Sequence, residues 1–196
     1  MKREHIFRIF TKIPELQTDR LVLRRLCLGD AADMFEYACR EDVTTYLTWS
    51  PHPNVAYTKE YLSCIEKHYS AGDFYDWAIV ERESGKMIGT CGFTRFHAEY
   101  DCGEIGYVLN PVYWGRGLAT EAVGAVIRFG FQRLELNRIE AKFMQGNAAS
   151  RRVMEKNGMV FEGMGRENMF VKGEFRNVGV CAILRSDFFS FGEDIY

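Results

Sequence analysis

The sequence predicts an α/β or α+β fold, a mixed sheet flanked by helices, and three observations predict it. The hydrophobic period shifts along the chain from alternation to helical spacing, then to a block of alternating segments between residues 77 and 110, and back again. The segments follow the order β, α, α, βββ, α, β, α, ββ, with no internal repeat. The 196 residues, 47% hydrophobic and 27% charged with only 4 prolines, suit one domain over 1–196 and exclude disordered, collagenous and low-complexity chains.

Residues 20–28, RLVLRRLCL, alternate imperfectly and predict a strand. Asp30 reads as an N-cap for a helix whose apolar face is Ala31, Met34, Phe35 and Ala38. A second helix is expected from Thr58 to Gly72, with Leu62, Ile65 and Tyr69 on one stripe. WAIVER (77–82) and MIGTCGFTRF (87–96) flank the turn Glu83-Ser84-Gly85-Lys86 and predict an antiparallel pair, and GEIGYVLN (103–110) predicts a third strand. Residues 118–134 carry a buried helical face, 138–144 a strand, and 149–157 a short helix closed by Gly158. Two last strands, 160–170 and 175–184, surround Lys172-Gly173.

The net charge of −2 lacks the basic footprint of a nucleic-acid binder. Six cysteines form no C-x-x-C pair and have no histidine at ligand spacing, so no metal site is expected and the thiols read as reduced core residues. The run MKREHIFRIF is basic and its apolar part is broken by Arg8, which makes no signal peptide. No apolar stretch approaches the ~20 residues that span a bilayer, so a cytoplasmic protein without a membrane partner is expected.

The most informative segment is EIGYVLNPVYWGRGLATEA, a strand that runs through a Gly-flanked turn into a helix. A helix N-terminus offers unpaired N–H groups, and Gly115 and Gly117 leave a phosphate free to approach them. Taken alone, Gly115-Arg116-Gly117 need only be a tight turn. The dinucleotide fingerprint fails at Thr120, and no Gly-Lys-Ser/Thr follows.

Trp114-Gly115-Arg116-Gly117-Leu118-Ala119-Thr120-Glu121-Ala122, Asn147-Ala148-Ala149-Ser150 and Glu155-Lys156-Asn157-Gly158-Met159 together resemble the GNAT N-acetyltransferase superfamily. With the opening TDRLVLRRL, the resemblance narrows to the branch of the ribosomal-protein alanine N-acetyltransferases and covers about residues 14 to 188. It implies acetyl-CoA as co-substrate, held between splayed strands ending at Leu109 and near Met144, with its pyrophosphate on residues 115 to 120. It further implies a β-bulge near Val108 and Leu109 that aims an N–H at the thioester oxygen. Asn147 would bind the cofactor arm, Lys156 would join the cofactor site, and Ser150 would protonate the leaving thiolate. The tyrosine acid of many relatives would fall at Met154, and the glutamate base of the ribosomal-protein enzymes at Met169, with Glu167 close by. Glu104, on the same strand face as Val108, is the other candidate base; otherwise it is an exposed strand residue.

Residues 30–80 hold 9 acids against 3 bases, and residues 111–185 hold 12 bases against 7 acids. The first half suits a cationic amine and the second a polyphosphate. The stiff loop Trp49-Ser50-Pro51-His52-Pro53-Asn54 is a candidate lid or specificity element. An α-amine of pKa about 7.7 to 8.0 is roughly a tenth neutral at pH 7, and a lysine near 10.4 far less, a difference on the order of 3.5 kcal/mol. An N-terminal α-amine is therefore the preferred acceptor. A polyamine or aminoglycoside acetyltransferase and a non-catalytic acyl-CoA sensor are the alternatives, and a homodimer through the C-terminal strands is compatible with the sequence.

Overall fold

The computed structural model describes residues 3–191; residues 1, 2 and 192–196, which include most of a tail without functional signal, lie outside it. The helices are α1 (Arg3–Phe10), α2 (Ala31–Ala38), α3 (Glu41–Thr44), α4 (Val55–Ala71), α5 (Leu118–Gln132), α6 (Ala148–Lys156) and α7 (Arg185–Phe191). The strands are β1 (Leu16–Gln17), β2 (Leu21–Arg24), β3 (Tyr75–Glu81), β4 (Met87–His97), β5 (Cys102–Leu109), β6 (Arg138–Met144), β7 (Val160–Val171) and β8 (Glu174–Leu184). They form one sheet in the order β1-β2-β3-β4-β5-β6-β8-β7, in which only β5 and β6 run parallel. The mixed, mostly antiparallel sheet flanked by helices is the predicted architecture.

Helices cover both faces of the sheet, which is why WAIVER reads as a continuous apolar run. Trp77 and Ile79 enter the larger core with Val123, Val126 and Ile127 of α5, and Ala78 and Val80 enter the smaller core with Met34 of α2 and Leu62 and Ile65 of α4. Helix α4 starts three residues before Thr58, because Asn54 caps it by accepting the Tyr57 N–H at 2.9 Å.

Several expectations are corrected. The first strand stops at Arg24, whose guanidinium reaches back to Asp30 at 2.6 and 2.9 Å. Asp30 stands at the N-cap position of α2, but its side chain does not cap that helix: the carboxylate takes Arg24 and the Cys27 N–H, which closes a capping box on the short 3-10 turn Leu28–Asp30. Burial pushes its pKa up, but these partners outweigh burial and hold it below the usual carboxylate range. The loop 49–54 packs on α2 and α4. His52 is 8% exposed, its N–H bonds the Ala38 carbonyl at 2.9 Å, and its ring meets Thr58 Oγ1 at 2.9 Å among Trp49, Tyr57 and Tyr61. Cys91, Cys102 and Cys181 are buried, but Cys27 and Cys64 are exposed. The N-terminal run, read only as basic, forms α1 and buries Ile6 and Phe10.

The β5–β6 pairing positions the site. It runs from Cys102↔Arg138 to Ile105↔Ala141 and ends, although β5 continues to Leu109 and β6 to Met144. The bulge expected near Val108 and Leu109 is absent. The β4–β5 register is unshifted from Gly89↔Leu109 to Phe93↔Ile105, and the irregularity lies between Phe93 and Arg95, with Thr94 as the extra residue.

Candidate functional site

Where β5 and β6 part, a cavity of about 540 Å³ crosses the sheet. Its walls include Leu109 and Leu118 of the larger core and Val43 and Val108 of the smaller, so it leads from the α5–α6 side to the α3 side.

The α5 end is built by the turn. Gly117 stands at φ +79°, a left-handed conformation costly for other residues, and no side chain caps the helix there. The first helical bond runs from the Glu121 N–H to the Gly117 carbonyl, which leaves the N–H groups of Leu118, Ala119 and Thr120 outside the helical ladder. Two arginines lock the turn from outside. Arg20 binds Glu121 at 2.6 Å and donates to the Arg116 carbonyl at 2.9 Å, and Arg116 binds Glu81 at 2.9 Å. Arg116, expected at the cofactor, thus points away and does not line the cavity. Trp114, Gly115, Gly117, Leu118, Ala119 and Thr120 do line it, and the Trp114 indole N–H holds the Leu109 carbonyl at 2.8 Å.

Helix α6 supplies the opposite wall. The Asn147 carbonyl oxygen caps it by accepting the Ser150 N–H at 3.1 Å, which leaves the Asn147 amide NH₂ for another partner. Lys156 and Arg152, one helical turn apart, both line the cavity. Arg152 was not among the expected residues; its i,i+4 spacing from Lys156 was the available signal.

Ser150 also lines the cavity, and its Oγ lies 2.8 Å from the Tyr107 hydroxyl, which donates to the Ser150 carbonyl at 2.8 Å. Tyr107, missed in the sequence, lines the cavity too. Burial pushes its phenol well above the ordinary range, so it is neutral near pH 7. Glu104 lies outside the lining, with its carboxylate held by the Lys142 ammonium at 2.5 Å.

A second hollow of about 330 Å³ shares Tyr46 with the first and is lined by Gln145, Glu167, Arg176 and Asn177. The β7–β8 register breaks between Gly165 and Met169, and Glu167, at φ +49°, is turned into this hollow while its N–H bonds Asn177 Oδ1 at 2.8 Å. Met169 packs with Met144 and Val178 instead. The β7–β8 turn reaches over to α3, where Lys172 Nζ donates to the Thr44 carbonyl at 2.6 Å.

A free-N–H helix start, two cations on α6 and a passage through the sheet fit the diphosphate, arm and acyl end of an acyl-CoA. Residues 20–160 match the family model described as the acetyltransferase (GNAT) domain. An uncharacterized N-acetyltransferase, p20, of Bacillus licheniformis is 34% identical over 173 residues, which span 88% of this chain and 97% of that protein. The ribosomal protein uS5-alanine N-acetyltransferase of Escherichia coli strain K12 is 26% identical over 182 residues, spanning 88% of this chain and 91% of that protein. An acetyltransferase of the GNAT family from Bacillus anthracis superposes with a TM-score of 0.79 at 28% identity, covering 88% of this chain and 99% of its own.

Proposed function

The chain belongs to the GNAT acetyltransferase family, and from that premise we propose that its acceptor is the α-amine of a protein or peptide N-terminus. It is an acetyl-CoA-dependent N-acetyltransferase, and the co-substrate supplies an activated acetyl thioester. The N–H groups of residues 118–120, with Arg152 and Lys156, hold the diphosphate, and the Asn147 amide donates to the arm. Ser150, backed by Tyr107, gives a proton to the departing sulfur. Glu104, ion-paired with Lys142, is left out of the role of base in this reading.

The observation that carries the acceptor assignment is the second hollow. It adjoins the acyl end at Tyr46, lies between Thr45 and Tyr46, which follow α3, and residues of β7 and β8, and presents Glu167 to a cation and Gln145 and Asn177 to peptide groups. An extended peptide fits such a polar cleft, its ammonium leading. The relative that acetylates an alanine of ribosomal protein uS5 supports this reading by likeness.

The test incubates the protein with acetyl-CoA and peptides differing in their first residue, alongside spermidine and an aminoglycoside, and locates the acetyl group by mass spectrometry. The α-amine of a subset of peptides is expected to carry the label. Label on spermidine or the aminoglycoside alone would overturn the N-terminal assignment.

A further inference from the structure

Tyr46 lines both the passage through the sheet and the second hollow. The chain on either side of it divides between the two spaces, with Thr45 in the lining of the hollow and Leu47 in that of the passage. The opposite rim repeats the division: Gln145 lines the hollow, Asn147 lines the passage, and Gly146 stands between them. The two rims meet at the tyrosine ring. A β-carbon added at Gly146 would lie 3.1 Å from Tyr46 Oη, 3.5 Å from Cε1 and 3.7 Å from Cζ, so the tip of the ring rests over backbone that carries no side chain. Gly146 stands at φ +97°, where other residues are strained.

The backbone beneath the ring is anchored. The Thr44 carbonyl accepts the Leu47 N–H at 3.0 Å and the Lys172 ammonium at 2.6 Å, which ties this segment to the β7–β8 turn. Widening the gap over Gly146 therefore falls to the torsions of the Tyr46 side chain. The residue is 38% exposed, so the ring has solvent to turn into.

We propose that Tyr46 is a specificity-determining residue for the acceptor, its ring limiting the size of the substituent on the carbon that bears the attacking amine. This rests on the N-terminal reading of the acceptor. An amine that comes from the hollow reaches the acetyl thioester between the ring tip and Gly146. Its nitrogen and α-carbon are about 1.5 Å apart, and the first side chain leaves from that carbon. That side chain stands at the constriction when the nitrogen attacks. A hydrogen, a methyl or a hydroxymethyl group fits beneath the ring, as in glycine, alanine and serine. A branched or aromatic group has to turn the ring into solvent, which forfeits its packing on Gly146. The discrimination comes from a clash built against the wrong acceptor.

The experiment measures kcat/KM at saturating acetyl-CoA for short peptides identical except for a first residue of Gly, Ala, Ser, Val, Leu or Phe. The proteins compared are the wild type, Tyr46→Phe, Tyr46→Leu, Tyr46→Ala and Tyr57→Ala, each checked for folding by circular dichroism. The wild type is expected to favour alanine over leucine by on the order of 10²-fold, as a misfit of a methylene or more allows. Tyr46→Ala should bring that ratio to about tenfold or less, with Tyr46→Leu between the two. Tyr46→Phe keeps the ring and should stay near the wild type. Tyr57→Ala removes an exposed ring outside both linings and should leave the ratio unchanged. General damage lowers all the rates together and does not imitate a change in their ranking. A wild type indifferent to the first residue, a ratio unmoved in Tyr46→Ala, or equal relaxation in Tyr57→Ala overturns the proposal and leaves the N-terminal reading standing. Label on spermidine or an aminoglycoside with none on any peptide removes that reading, and the proposal with it.

Discussion

Ser150 and Tyr107 are held as a pair. The Tyr107 hydroxyl lies 2.8 Å from both the Ser150 carbonyl and Ser150 Oγ, and either hydroxyl can donate in the second contact, so one ring holds both ends of the residue. Tyr107→Phe should therefore cost nearly what Ser150→Ala costs, on the order of 10²-fold in kcat with little change in KM for acetyl-CoA, and the double variant should lose little more. Steady-state kinetics of the three variants checks this; additive losses would show two independent groups. Ser150 was legible because it stands three residues after Asn147 in a recognisable segment. Tyr107 was not, because a tyrosine was sought at Met154, which is fully buried on α6, while the phenol comes from the strand across the cavity. Glu104 shares a strand face with Val108, but its ion pair with Lys142 joins two strands that only the tertiary fold brings side by side.

Among the elements, on the proposed reading, α5 and α6 would divide the cofactor between them, one through backbone N–H groups and the other through side-chain charge. The division makes their contributions separable. Arg152→Ala with Lys156→Ala should raise the KM for acetyl-CoA by on the order of tenfold at low ionic strength, and the effect should shrink as salt shortens the Debye length. Titration of CoA binding at 0.05 and 0.5 M salt reads it; an effect independent of salt would mean that packing, not charge, was lost. The long helices and strands were legible because each shows several periods of its pattern. β1 and α3, of two and four residues, show none, and α3 with the residues just after it nonetheless brings Asp42, Val43 and Tyr46 to the site through the loop region between two predicted helices. Arg116 was misplaced for a related reason: its position in the turn motif is clear, but Glu81, which draws its side chain away, lies 35 residues earlier.

For the whole molecule, the charge asymmetry of the sequence is realised at the two mouths of one passage, with Asp42 on the α3 side and Arg152 and Lys156 on the α6 side. The passage exists because the sheet is joined at its centre by only four register pairs between β5 and β6. Beyond Ile105 the β6-facing polar groups of β5 have no strand beside them, so in the free protein their amides trade hydrogen with water quickly. On the proposed reading, a bound acetyl-CoA arm, itself carrying two amides, would occupy the place of the missing strand. Hydrogen–deuterium exchange should slow at residues 106–109 by about tenfold or more on adding CoA, while β3 changes little. Equal protection in both states would mean the gap closes without ligand. On that reading the substrate would complete the architecture that processes it, and the two halves of the chain would be most firmly one body during turnover.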